Sequence, residues 1–142
     1  MYNSYNAVKG GNKMFSIDSM SRTPIYEQII NQIESFILKG VLSPGDRLPS
    51  VRSLSVELSV TPVTVLKALG ELDLRGLIRS VPGKGYFVCE GAKDTLSESR
   101  RVLLDKIEEL AHELAAASLP MEDVMERIRK AYAQTESNER NV

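Results

Sequence analysis

Two short amphipathic segments joined by a tight connection are the feature that most constrains the fold of this chain. The first segment, residues 51–59, reads VRSLSVELS, and the second begins at Thr61-Pro62 and continues to about Arg75. Each places apolar residues on one face at helical spacing. The inward residues are predicted to be Val51, Leu54 and Leu58 in the first segment and Val65, Ala68, Leu69 and Leu72 in the second. Two helices joined so closely are typical of a helix-turn-helix.

A longer amphipathic segment precedes this pair. Residues 24–39 read PIYEQIINQIESFILK, with Thr23 as the predicted N-cap, Pro24 at the first helical position and Gly40 as the stop. Pro44-Gly45 then predicts a turn, and Ser50 is the predicted cap of the next helix.

A β-hairpin is predicted after the third helix, which ends at Gly76. Residues 77–80 and 86–88 are typical of two short strands, and residues 81–85, VPGKG, of the turn between them. The predicted fold is therefore mostly α with a small β-hairpin wing, a winged helix-turn-helix, followed by a C-terminal α-helical hairpin.

The C-terminal part predicts a dimerisation element. Residues 95–118 are predicted to form one helix, and Pro120 begins another, after which the tail from Thr135 frays. Two apolar stripes on a hairpin of about 40 residues cannot bury themselves against each other alone, so a second copy of the chain is the simplest partner. The alternative is packing against the chain's own winged helix. The predicted dimerisation residues are Leu103, Ile107, Leu110, Leu114, Val124 and Ile128.

Composition excludes several classes of protein. No apolar run approaches the length of a membrane span, and the first residues lack the apolar core of a secretory signal. One cysteine, Cys89, forms no internal disulfide and fits the cytoplasm, although a thiol sensor is an alternative interpretation. A single Cys and a single His supply no metal cluster. We expect no cofactor and no enzymatic activity, because no nucleophile-base pair can be assembled, and no motif identifies a small-molecule effector.

Charge limits where nucleic acid can bind. Residues 14–90 carry eight Lys/Arg and eight Asp/Glu, whereas residues 91–142 carry eight against eleven. A local basic face in the first part must therefore supply any affinity for DNA. Five basic residues are predicted on one side of the winged helix: Arg47, Arg52, Lys67, Arg79 and Lys84.

The second helix of a helix-turn-helix presents its N-terminal part to the major groove. Thr61 and Thr64 are placed to donate to phosphates, and Lys67 to reach a phosphate or a guanine edge. Lys84 lies between two glycines, Gly83 and Gly85, which let the backbone of the wing approach the minor groove. The alternatives are ordinary: each basic side chain is a solvated charge, Thr61 is only a cap, and Pro82-Gly83 is only a turn.

These residues also carry a resemblance. The motifs PIYEQI, PGDRLPSVR, T-x-x-T-V, L-x-x-x-GLI and GKGYFV follow in the order and spacing of the DNA-binding domain of the GntR family, over about 65 residues. Residues 14–18, MFSID, resemble the short segment that precedes PIYEQI in this family, so that Met14 is a candidate for the original start. The short C-terminal part resembles the YtrA-like subfamily, whose C-terminal part is a small helical dimerisation element.

The resemblance implies specific contacts. Arg52 matches an arginine that touches DNA, Thr61 and Thr64 match phosphate contacts of the third helix, and Lys67, Gly83, Lys84 and Gly85 match helix and wing positions. Pro62, Val63 and Leu66 stand where many members have polar or basic residues. The apolar pair Val63 and Leu66 either contacts thymine methyl groups or weakens binding.

The resemblance further implies a homodimeric repressor of a nearby operon, often one for an ABC transporter, acting on double-stranded operator DNA. We predict a flexible lead over residues 1–20, a DNA-binding domain over 21–90, a helical dimerisation element over 91–136 and a flexible tail over 137–142. The alternative function is a winged helix that binds a protein and no longer reads DNA.

Overall fold

The structure, a computed structural model, describes residues 14–140. It contains a winged helix-turn-helix followed by further helices, which confirms the predicted fold class. The chain divides into two compact units, Met1–Ser99 and Arg100–Val142. In chain order the elements are α1 (Ile25–Leu38), α2 (Val51–Leu58), α3 (Pro62–Leu74), β1 (Ile78–Val81), β2 (Gly85–Val88), α4 (Ala92–Arg100), α5 (Val102–Ala116) and α6 (Met121–Arg140).

The core of the first unit lies between α1 and α3, with α2 packed against α3. Ile29 and Ile33 of α1 and Leu69 and Leu72 of α3 are fully buried, as is Leu54 of α2. Their spacing places each set on one face of its helix. All four residues predicted to face inward on α3 are buried, so the opposite face of this helix is left to solvent.

The start of α1 differs from the prediction. Pro24 is the N-cap and has an extended backbone, and no side chain caps the helix. The prediction of Thr23 as cap and Pro24 as first helical residue is therefore wrong by one position. The side chain of Gln28 bonds to the segment before the helix instead: its Nε2 donates to the carbonyl of Thr23 at 2.9 Å.

Residues 14–18 pack against α1. Phe15 is 1% exposed and meets the ring of Phe36 edge-on, with centroids 5.3 Å apart. Gln32 accepts from the Ser16 amide at 2.9 Å, and Gln28 accepts from the Asp18 amide at the same distance. The expectation of a flexible lead is thus wrong for this segment, while residues 1–13 lie outside the described residues.

The turn between α2 and α3 is fixed by local hydrogen bonds. Ser50 caps α2 as predicted, accepting from the Ser53 amide at 3.0 Å. Ser59 ends α2 in the left-handed conformation, at φ 54°, and the Ser55 hydroxyl donates to the carbonyl of Val60. The chain is therefore redirected into α3 within three residues.

The wing is a hairpin with an additional backbone partner. Strands β1 and β2 pair antiparallel, with Ile78 opposite Val88 and Val81 opposite Gly85. The Leu48 amide donates to the carbonyl of Tyr86 at 2.9 Å, and the Val88 amide donates to that of Asp46 at the same distance. The segment before α2 is consequently bonded to β2 along its length.

Helix α4 belongs to the first unit. Ala92 and Leu96 are 0% and 3% exposed and join the core. The prediction of one helix over residues 95–118 is wrong, because α4 begins at Ala92 and the helix is interrupted at Arg101, before α5. The boundary between compact units consequently lies after Ser99, later than the predicted boundary after residue 90.

The second unit consists of α5 and α6. Pro120 separates the two helices as predicted, and Ser118 turns the chain at φ 62°. No residue of α5 is buried, and α6 continues to Arg140. The expected tail from residue 137 is therefore helical as far as Arg140.

Candidate nucleic-acid interface

The start of α3 is capped by threonine hydroxyl groups. Thr61 is the N-cap, and its Oγ1 accepts from the Thr64 amide at 3.4 Å. The two threonine hydroxyl oxygens lie 3.0 Å apart in a hydrogen bond. Pro62 occupies the first helical position, where no amide hydrogen is required. The structure thus assigns Thr61 the capping role that was the ordinary alternative, while the side chain itself remains exposed.

The outward face of α3 is largely apolar. Val63 and Leu66 are 74% and 48% exposed, and Pro62 is exposed beside them. Gly70 continues this face without a side chain, and Leu74 ends the helix at 86% exposure. The helical spacing predicts the outward position of Val63 and Leu66, whereas no role was predicted for Leu74.

Lys67 is turned toward α1. Its Nζ lies 3.9 Å from the centroid of the Tyr26 ring, at the start of that helix. A lysine ammonium over an aromatic face at this distance is a cation–π contact. The Lys67 side chain is therefore held beside α1, although the sequence placed it on the face opposite the core.

Tyr26 was not predicted as a functional residue, because a tyrosine on the apolar face of the first helix indicates only a core role. The Glu27 carboxylate raises the pKa of Tyr26, and its desolvation adds to this effect. The phenol therefore stays protonated, and its hydroxyl donates to Glu27 Oε1 at 3.3 Å. The sequence offered one signal for this contact, which is an aromatic ring on the face of α1 that packs against α3.

Arg75 and Glu34 join the far end of α3 to α1. Arg75 Nη1 lies 2.7 Å from Glu34 Oε1, and Arg75 Nε lies 3.1 Å from Glu71 Oε1. Glu34 is 3% exposed, the only charged side chain buried within the described part of the chain. This pair fixes how α3 lies on α1 and hence how its outward face is presented.

Arg52 lies at the start of α2. It is exposed, as is Ser53, whose amide donates to the cap residue Ser50. A guanidinium at the first turn of a supporting helix is well placed for a phosphate group, two oxygens of which it can bind with two parallel hydrogen bonds.

The wing brings three of the predicted basic residues together. Arg79 lies on β1, Lys84 lies in the exposed turn, and Arg47 packs its guanidinium against Gly85. A Cβ at Gly85 would stand 3.2 Å from Arg47 Nε, and the φ of Gly85 is +111°. The positive φ therefore favours glycine here, and a Cβ would in addition force the Arg47 guanidinium to shift. Gly83 has φ +75° with open space around it.

Other kinds of site find no support in the described residues. Between residues 14 and 140 there is no group of three or more His, Cys, Asp or Glu side chains able to hold a metal ion. No helix in the same part of the chain is long and apolar enough to cross a membrane.

Comparison with known proteins decides the family. Residues 25–88 match the model described as bacterial regulatory proteins, gntR family. The HTH-type transcriptional repressor YtrA of Bacillus subtilis (strain 168) is 38% identical over 129 residues, which are 90% of this chain and 99% of the relative. This chain belongs to the GntR family. As a GntR protein it is a DNA-binding transcriptional regulator, as the resemblance implied.

Two solved structures place the GntR fold of this chain among regulators. A transcriptional regulator from Oenococcus oeni matches with a TM-score of 0.64 and 28% identity, covering 82% of this chain and 97% of that chain. The DNA-binding domain of AraR in complex with operator ORX1 matches with a TM-score of 0.51 and 30% identity, covering 55% and 99% respectively.

Proposed function

We propose that this GntR protein is a homodimeric repressor that binds operator DNA through α3, the start of α2 and the wing. The observation that carries this proposal is the exposure of Arg52, Val63 and Lys84, one on each of these three successive elements. None of the three is needed to build the core. A helix-turn-helix regulator inserts its second helix in the major groove, so this combination supports DNA as the ligand.

The three elements have different tasks in this proposal. The backbone amides at the start of α3 and the positive end of its helix dipole attract a phosphate. Arg52 and Lys84 neutralise phosphates on either side of the reading helix, and Arg47 and Arg79 add positive charge at the wing. Base discrimination then falls to the exposed side chains of α3.

Dimerisation is proposed for α5 and α6. Leu103, Ile107 and Leu110 are 45%, 48% and 57% exposed along one stripe of α5, while Leu114, Val124 and Ile128 are only half-buried. An exposed apolar surface of this extent favours a protein contact. A second copy is the partner that also suits DNA, because a two-fold dimer reads two half-sites about one helical turn apart.

The test of DNA binding is a salt-titrated gel shift of the whole chain against the intergenic DNA upstream of its own gene. We expect specific binding at about 10⁻⁸ M or tighter at physiological salt. Absence of a specific shift even at low salt contradicts the proposal. It favours the alternative in which the apolar face of α3 docks a protein.

Arg52→Ala and Lys84→Ala sharpen this test. Each is expected to weaken binding and to reduce the slope of log affinity against log salt by about one, because one phosphate contact is lost. Lys93→Ala is the matched control, since this exposed lysine of α4 carries the same charge. Wild-type affinity and slope in both Arg52→Ala and Lys84→Ala would contradict the assigned face.

The dimer is tested by Ile107→Glu and Leu114→Glu, measured by size exclusion with light scattering. A charge in the stripe costs far more when it is buried by a partner, so both variants are expected to be monomers. His112→Glu introduces the same residue on the opposite side of α5, where His112 is 79% exposed, and is expected to remain a dimer. Dimers in all three variants would reject this stripe.

Repression is proposed by similarity to a repressor over nearly the whole chain. We expect the protein to act in the cytoplasm on its own upstream region and a neighbouring operon, for which an ABC transporter is the expected product. Deleting the gene should raise expression of a reporter fused to that upstream DNA. Unchanged or lowered expression would reject repression while leaving DNA binding intact.

A further inference from the structure

The reading helix of this protein has few polar side chains available for bases. Thr61 and Thr64 share their hydroxyls in the cap of α3, and the Lys67 ammonium lies 3.9 Å over the Tyr26 ring. One hydroxyl hydrogen of the threonine pair and the Lys67 ammonium are thus engaged in contacts within the protein. Hydrogen bonds from these three side chains to base edges therefore compete with contacts inside the protein.

Apolar side chains occupy the remaining outward positions. Val63 and Leu66 are 74% and 48% exposed, and they lie three residues apart, which places them side by side on the helix surface. Both belong to the first two turns of α3, the part that a helix-turn-helix presents to the major groove. Neither belongs to the hydrophobic core.

The major groove offers one apolar group to such side chains. The thymine C5 methyl is the only alkyl group on the major-groove edges, which otherwise present mainly hydrogen-bond donors and acceptors. Covering a polar edge with valine or leucine removes its water without replacing the hydrogen bond, which is unfavourable. Apolar contact therefore both favours thymine and disfavours the other bases at the same positions.

We infer that Val63 and Leu66 are specificity-determining residues that recognise thymine methyl groups in each operator half-site. This inference deepens the proposed function and rests on it, because it requires α3 to enter the major groove. It assigns sequence recognition mainly to shape and apolar contact, while Arg52 and Lys84 supply affinity without distinguishing bases. Operators of this protein are then expected to carry thymines at fixed positions of each half-site.

The experiment removes only the methyl groups. A duplex selected by the whole protein from a random library is synthesised with thymine and again with 2′-deoxyuridine in its place. We expect binding of the deoxyuridine duplex to be about fourfold weaker for each methyl group contacted, from the transfer free energy of one buried methyl. Two contacts, one in each half-site, give about sixteenfold.

Variants then assign the effect to the two residues. In Val63→Ala combined with Leu66→Ala, binding to the thymine duplex is expected to weaken, and replacement by deoxyuridine is expected to cost little more. Leu74→Ala is the matched control: Leu74 is 86% exposed at the other end of α3, so its truncation should change neither binding nor the deoxyuridine effect. Arg52→Ala should weaken both duplexes equally and keep the difference between them.

The outcomes separate the two levels of proposal. Selection that enriches no sequence overturns DNA reading by α3, and the thymine inference fails with it. A selected duplex that binds equally well with deoxyuridine overturns the inference alone and leaves the proposed function standing. A deoxyuridine effect of unchanged size in the doubly substituted protein also overturns it, because the methyl groups would then act through the DNA itself.

Discussion

At the scale of single residues, the ion pair between Arg75 and Glu34 has the clearest energetic consequence. Glu34 is 3% exposed, while Arg75 is 46% exposed, so solvent screens only one partner. We expect Arg75→Ala to lower the free energy of unfolding by about 1–2 kcal/mol, because the buried carboxylate loses a charged hydrogen bond. Urea denaturation measures this change.

An exposed pair provides the control for that prediction. Arg129 Nη1 lies 2.8 Å from Glu122 Oε1, but the two side chains are 62% and 72% exposed. Arg129→Ala should therefore change the free energy of unfolding by less than about 1 kcal/mol. Equal losses in the two variants would show that burial of Glu34 adds nothing.

Sequence reasoning was most accurate for residues whose role is decided locally. Ser50 was predicted as a cap, and capping was the stated alternative for Thr61, because a cap bonds to an amide only a few residues away. The turn of Lys67 toward Tyr26 was missed, since it depends on the packing of α3 against α1. Phe15 was missed for the same reason, as its partner Phe36 lies on a different element.

At the scale of elements, a glycine inside a helix and a glycine in the wing should respond in opposite ways to alanine. Gly70 lies inside α3 with open space where a Cβ would be, so Gly70→Ala should stabilise the protein by about 0.5–1 kcal/mol. Gly85 has φ +111°, and a Cβ there would stand 3.2 Å from Arg47 Nε, so Gly85→Ala should destabilise the protein by at least about 1 kcal/mol. Thermal unfolding of both variants checks the two signs, and stabilisation by both would contradict the strain assigned to the wing.

The helices and strands of the first unit were largely predictable, because apolar periodicity and Gly, Pro and Ser residues mark their limits. The interruption between α4 and α5 at Arg101 was not predictable, because the backbone there stays in the helical region. Only the hydrogen bonding changes, since the Leu104 amide donates to the carbonyl of Arg101. The pairing of Asp46 and Leu48 with β2 was also missed, because it joins segments distant in sequence.

At the scale of the whole molecule, the described core residues all precede Arg100, and the last of them is Leu96. A chain ending after Ser99 should therefore keep every residue of this core and unfold in a single cooperative transition. A chain ending after Glu90 loses Ala92 and Leu96, and should be less stable by about 2–4 kcal/mol from the apolar area no longer buried. Urea unfolding of the two truncated chains makes the comparison, and equal stability would show that α4 is not part of this core.

The boundary predicted after residue 90 was nine residues too early, and the reason lies in the sequence of α4. Residues after 90 have a helical pattern, and a helix that follows a wing was assigned to the next domain on that basis. Only two side chains of α4, Ala92 and Leu96, are buried, and two apolar positions in nine residues are too weak a pattern to show which unit they join. The exposed stripe of α5 was predictable, because its four-and-three spacing repeats over four turns.

The bonds that tie β2 to the segment before α2 have a consequence for the thermodynamics of recognition. The Leu48 amide is held by the carbonyl of Tyr86, and Ser50, two residues later, caps the helix that carries Arg52. The wing and the supporting helix are thereby ordered when the chain folds, before any ligand arrives. The conformational entropy of ordering these segments is therefore lost on folding and not on DNA binding. More of the interaction energy between protein and DNA then remains as measured affinity.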